Sequence, residues 1–84
     1  MANKFENAVQ LIQQGDWHAA HEIVQSGRDQ MSCWIHAWLH RQEGDNGNAG
    51  YWYSLAGKEI PESSLEDELI TIAEEASKLA EPDA

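Results

Sequence analysis

The chain is poor in several things at once. It has one cysteine, two prolines, one phenylalanine and only five lysines and arginines against fifteen aspartates and glutamates. A single Cys33 excludes an internal disulfide and suits a reducing compartment, which points to the cytoplasm. A net charge of -10 with no basic cluster excludes the electrostatic footprint of nucleic-acid binding and of anionic membrane surfaces. No apolar run reaches membrane-spanning length, and Met1-Ala2-Asn3-Lys4-Phe5-Glu6 has no secretory h-region. No segment alternates with period 2, so no strand is expected. Nucleophile elbows, Gly-rich phosphate loops and His-Glu-x-x-His are missing too, so an enzyme is not the leading expectation.

What the chain does have is tryptophan. There are four in 84 residues, three of them between 34 and 53 together with both tyrosines. Large aromatics suit a small domain, where a single core is marginal and each buried indole removes roughly 150–250 Å² from water.

Glycine punctuates the sequence. Gly15, Gly27, Gly44 and Gly57 each follow a helical pattern, as left-handed C′ positions do. Polar residues suited to N-capping follow: Asp16, Asp29, then Asp45, Asn46 or Asn48, and finally Ser63 or Ser64 with Glu66 and Asp67 behind them. The expectation is one all-α domain over 1–84, with helices near 3–14, 17–26, 30–43, 48–56 and 64–80 and a frayed tail at 81–84. Buried stripes follow from the 3.6-residue period. They are Phe5, Ala8, Val9 and Ile12; Trp17, Ala20, Ile23 and Val24; Met31, Trp34, Ile35, Trp38 and Leu39; Ala49, Trp52, Tyr53 and Ala56; and Leu65, Leu69, Ile72, Ala76 and Leu79. Glu66, Asp67, Glu68, Glu74 and Glu75 are expected to flank the last stripe in solvent. Short links imply two antiparallel helical hairpins covered by the C-terminal amphipathic helix.

An internal echo supports the pairing. Gly15-Asp16 with Ala20 recurs 29 residues later as Gly44-Asp45 with Ala49. The turn resembles that of tetratricopeptide and Sel1-like repeats, and Tyr51-Trp52-Tyr53-Ser54-Leu55-Ala56-Gly57 is similar to the Trp-Tyr…Ala stretch of the latter. The period is shorter than the roughly 34 residues of the tetratricopeptide repeat.

Chemistry-bearing residues concentrate on the third helix and the turn after it. At 100° per residue, Trp34, Ile35, Trp38 and Leu39 take one side while Cys33, His36 and His40 take the other. Cys-x2-His-x3-His places three soft or borderline ligands on one stripe, with His18, His21 and Glu22 as candidates from the second helix. His21 sits at the edge of an apolar stripe, where a hydrogen-bonded boundary histidine is the ordinary reading. Arg41, Glu43, Asp45 and Asn48 gather at the turn, where the helix macrodipole and capping explain them structurally and an anion site explains them functionally. Tyr51 shares a helix with Trp52 and Tyr53 and is expected partly exposed, as a contact surface.

The run Ile35-His36-Ala37-Trp38-Leu39-His40-Arg41, with Glu43-Gly44-Asp45, Asn48-Ala49, Tyr51-Trp52-Tyr53 and Ala56-Gly57, resembles a motif of a family of small helical proteins with no assigned activity. The resemblance implies that His36, His40, Arg41, Glu43, Asp45, Asn48 and Tyr51 act as a unit. The leading expectation is a module that binds another protein or itself, in the latter case as a homodimer, with no cofactor. The alternative is a small-ligand or metal site built from His36, His40 and Arg41 with help from His21, Glu22 or Glu43.

Overall fold

The computed structural model describes residues 2–79, so the expected tail at 81–84 lies outside the described residues. Five helices follow one another: α1 (Lys4–Gln13), α2 (Trp17–Val24), α3 (Gln30–Gln42), α4 (Asn46–Leu55) and α5 (Leu65–Lys78). There is no strand among the described residues. The fold is all-α, as the punctuation and periodicity predict.

Each helix starts on a side-chain cap. Asn3, Asp16, Asp29, Asp45 and Ser64 each accept a hydrogen bond from a backbone N–H three residues on, satisfying donors that the first turn leaves unpaired. The cap of α4 is Asp45, so that helix starts two residues earlier than expected, and Asn48 becomes its third residue.

The echo in the sequence is an echo in geometry. Gly15 and Gly44 both have φ +82°. The following aspartate N–H reaches back to Leu11 O in one turn and to His40 O in the other, both at 2.9 Å. Ala20 and Ala49 are both fully buried one turn later, where only a small side chain lets the helices approach. Gly27 departs from this pattern. It has no positive φ, and a Cβ there would collide with the Ser32 side chain. Close approach to α3, rather than a left-handed backbone, requires glycine at that position.

α1 packs against α2, α3 against α4, and α5 against both α1 and α3; α2 also meets α3. α3 is therefore the axis of the molecule. Every residue from Met31 to Leu39 is buried, so the side carrying Cys33 and His36 is interior along with the side carrying Trp34 and Trp38. Both faces of α3 are interior, because neighbours surround it on three sides.

Indole N–H groups join the layers. Trp17 Nε1 donates to Leu39 O, Trp38 Nε1 to Leu65 O and Trp34 Nε1 to Glu68 Oε2, each at 3.0 Å. Trp34 and Trp38 are core residues, whereas Trp17 and Trp52 are only partly buried. On α5 the core is Ile72 and Ala76 with Leu65 and Leu69 at its margin, while Leu79 is exposed. The last helix also buries Glu68, which is 3% exposed. Expected among the solvated flanking acids, it falls instead on the stripe itself, three residues after Leu65 and four before Ile72.

Candidate functional site

Two polar groups of opposite character lie against α3. One gathers around Glu68. Its carboxylate accepts from Arg41 Nη1 at 2.7 Å, from Tyr53 Oη at 2.6 Å and from Trp34 Nε1 at 3.0 Å. Arg41 also donates to the Ser63 carbonyl. Burial, with the carboxylate's charge beside it, pushes the Tyr53 hydroxyl far above its usual range, so it remains a donor. The structure thus commits Arg41, expected at an anion site, to a carboxylate of its own chain.

The other group is three histidines. His36 and His40 lie one turn apart on α3, and His21 comes from α2. One ligand nitrogen from each lies within 4.8 Å of the other two. His21 Nε2 and His36 Nε2 are 3.1 Å apart. The His36 ring is 4% exposed. Its Nδ1 is buried and has no hydrogen-bond partner among the described residues. Burial holds the pKa of His36 down at about 4, with His21, His40 and Arg28 adding repulsion. Burial likewise lowers that of His21, and His40 adds to the effect. Both rings are therefore neutral at neutral pH, with one Nε2 donating its N–H to the lone pair of the other.

Aromatic rings wall the cluster. Trp52 stacks on His36 with centroids 3.9 Å apart, and Trp17 stacks on His21 at 4.8 Å. Arg28 lies 5.2 Å from the Trp52 ring centroid. On the open side, His40 Nδ1 is 2.7 Å from Glu43 Oε1 and 4.0 Å from Asp45 Oδ2. Asp45 in turn accepts from Asn48 Nδ2 at 2.7 Å. His40, Glu43 and Asp45 form a second close set of potential ligand atoms that shares His40 with the first.

The expected site residues thus separate. His21, His36, His40, Glu43 and Asp45 come together, with Asn48 attached through Asp45. Arg41 turns toward α5. Tyr51 stands on the outer face of α4 and is 59% exposed. Cys33 does not join the histidines; it is fully buried, with its sulfur 3.9 Å from Gly27 O, and burial raises the thiol pKa. His18 and Glu22 are exposed. Trp17 and Trp52 as walls of the cluster were not foreseen, since a core role accounted for both.

No family model matches this chain, and neither curated proteins nor solved structures give a match.

Proposed function

We propose that this protein binds a divalent transition-metal ion through His21, His36 and His40. The observation that carries the reading is the convergence of three imidazole nitrogens from two helices, centred on a buried ring hydrogen-bonded to another histidine. Metal–nitrogen bonds of roughly 2.0–2.1 Å in a tetrahedral site set ligand nitrogens about 3.3 Å apart. The His21–His36 spacing of 3.1 Å is already close to that. Glu43 against His40 Nδ1 fixes the tautomer that leaves Nε2 as ligand, the usual second contact of a metal-bound histidine. All-imidazole donors suit zinc, copper, nickel or iron. Three protein ligands leave a coordination position open toward the solvent side.

The test is titration of untagged, chelator-treated protein with Zn²⁺ and Co²⁺. One equivalent is expected to bind, with quenching or shift of Trp17 and Trp52 fluorescence, and His36→Leu is expected to abolish it. Folded protein that takes up well under one equivalent overturns the reading.

A second reading is contact with another protein or with a second copy of the chain, in a reducing compartment such as the cytoplasm. It rests on Tyr51 and Leu55, one turn apart on α4 and 59% and 46% exposed. Ile60 extends that apolar surface, lying over Gly50. Sedimentation at high concentration decides for self-association: Tyr51→Asp with Leu55→Asp should shift an oligomer to monomer. A strictly monomeric wild type with no recoverable partner sinks this second reading.

A further inference from the structure

The geometry points to a second binding site, for a short alkylammonium ion, over the face of Trp34. It is independent of the histidine centre and lies against the α5 face of α3.

Two adjoining cavities, of about 310 and 460 Å³, occupy the groove between α3 and α5. They share Trp34, Lys58 and Thr71 as walls. The Lys58 side chain therefore divides what would otherwise be one groove, of a size that takes small ligands. The floor is fixed in place. Trp34 is pinned by its bond to Glu68, and Glu68 is pinned by Tyr53 and Arg41. The face of an indole attracts cations through its quadrupole.

The groove already shows which ligand it accepts. Lys58 Nζ sits 4.0 Å from the Trp34 ring centroid, so an ammonium on a four-carbon chain fills the site from within the molecule. No carboxylate lies within ion-pairing distance of Lys58 among the described residues. The ring holds it.

Charge selects the sign of an external ligand. Asp29, Glu59 and Glu75 line the two cavities. Lys78 is paired with Glu75 at 2.9 Å, and Glu68 is neutralised by Arg41. Once Lys58 swings out to solvent, Asp29 and Glu59 leave the groove with excess negative charge on a protein of net charge -10. An organic cation enters such a groove and an organic anion is repelled. A diammonium ion of about four carbons matches both features, with one head over Trp34 and the other toward Glu59. Lys58 acts as a competitor in cis, and apparent affinity is reduced by the fraction of time it covers the ring.

The experiment titrates the full chain, in chelator and at low salt, with 1,4-diaminobutane and separately with butyrate, following the Trp34 indole N–H signal by NMR. Diaminobutane is expected to shift that signal, and butyrate to leave it unmoved. Lys58→Ala, a surface change, is expected to tighten diamine binding about tenfold, and Glu59→Gln to weaken it severalfold. His36→Leu should bind the diamine as wild type does, which separates failure here from failure of the metal reading. Butyrate binding in place of diamine, or diamine affinity unchanged by Lys58→Ala, overturns the proposal.

Discussion

α3 carries a buried polar cluster on each of two roughly opposite faces, and the two are built on different terms. Toward α5, Trp34 and Arg41, seven residues apart, converge on Glu68, and every group there has a partner. Toward α2 and α4, His36 and His40 meet His21, and a buried nitrogen is left over. A closed set of donors around one carboxylate is what a fold needs to tolerate a buried charge. A set of lone-pair donors facing one another is what a ligand needs. Burial and polarity alone do not mark a site; what the polar atoms face does.

The largest expected effect breaks the closed cluster. Glu68→Ala leaves the Arg41 charge, the Tyr53 hydroxyl and the Trp34 N–H in the interior without an acceptor. A loss of about 3–5 kcal/mol is expected, enough to remove most of the stability of a domain this size. Urea denaturation reads it. Glu68→Gln keeps an acceptor but not the charge and should fall between that variant and the wild type. Zn²⁺ uptake by whatever fraction of Glu68→Gln remains folded should be unchanged, because Glu68 does not touch the histidines.

The open cluster should respond in the opposite sense. His36→Leu removes a ring whose buried Nδ1 has no partner among the described residues, together with its hydrogen bond to His21, and replaces it with an apolar side chain of similar size. Metal-free stability is expected to rise by about 1 kcal/mol or more, measured by urea denaturation in chelator, while metal binding disappears. A variant that is more stable yet unable to bind marks the ring as retained for a ligand. If His36→Leu instead destabilises by several kcal/mol, the two clusters are alike, and the distinction drawn between them fails.

Acid sharpens the same contrast. His36 has a folded pKa of about 4 against an ordinary 6.5, so the unfolded chain binds the additional proton between those values. Its contribution is fully present above pH 6.5 and is lost as the pH falls toward 4, up to about 3 kcal/mol. Chelator-treated wild type should lose thermal stability across that window, whereas His36→Leu should lose markedly less.

Much of this architecture is legible in the residues. Glycine and aspartate spacing places the turns, and the 3.6-residue stripes place five helices, because capping and periodicity are local. The two faces of α3 are less legible. Its sequence reads as amphipathic, yet tertiary surroundings bury both faces, and no local rule announces how many neighbours a helix will have. Arg41 illustrates the limit. Its guanidinium invites an anion, but the anion is Glu68, 27 residues away. Glu68 itself is readable afterwards as an acid on an apolar stripe, which calls for a buried cation. The histidine cluster was half visible: His36 and His40 share a face by spacing, while His21 joins them only through the packing of α2 on α3. Cys33 shares their helical side in projection, but its sulfur sits against Gly27 O instead.

The twin turns give the finest test, because they present the same cap with and without a histidine beside it. Asp16 and Asp45 cap α2 and α4 through the same acceptance from the third residue on, after glycines of equal φ. As caps, Asp16→Ala and Asp45→Ala should each lower Tm by about 5 °C. They differ in two respects: Asp45 also accepts from Asn48 Nδ2, and its Oδ2 lies 4.0 Å from His40 Nδ1, beyond the closer Glu43. Asp45→Ala should therefore weaken metal binding by a small factor, about threefold, while Asp16→Ala leaves it unchanged, both read by competition against a chromophoric chelator. Glu43→Gln, which alters the direct partner of His40, should weaken it by roughly tenfold or more. Equal effects of the two aspartate variants on affinity would show that Asp45 serves only as a cap, and that the histidine centre ends at Glu43.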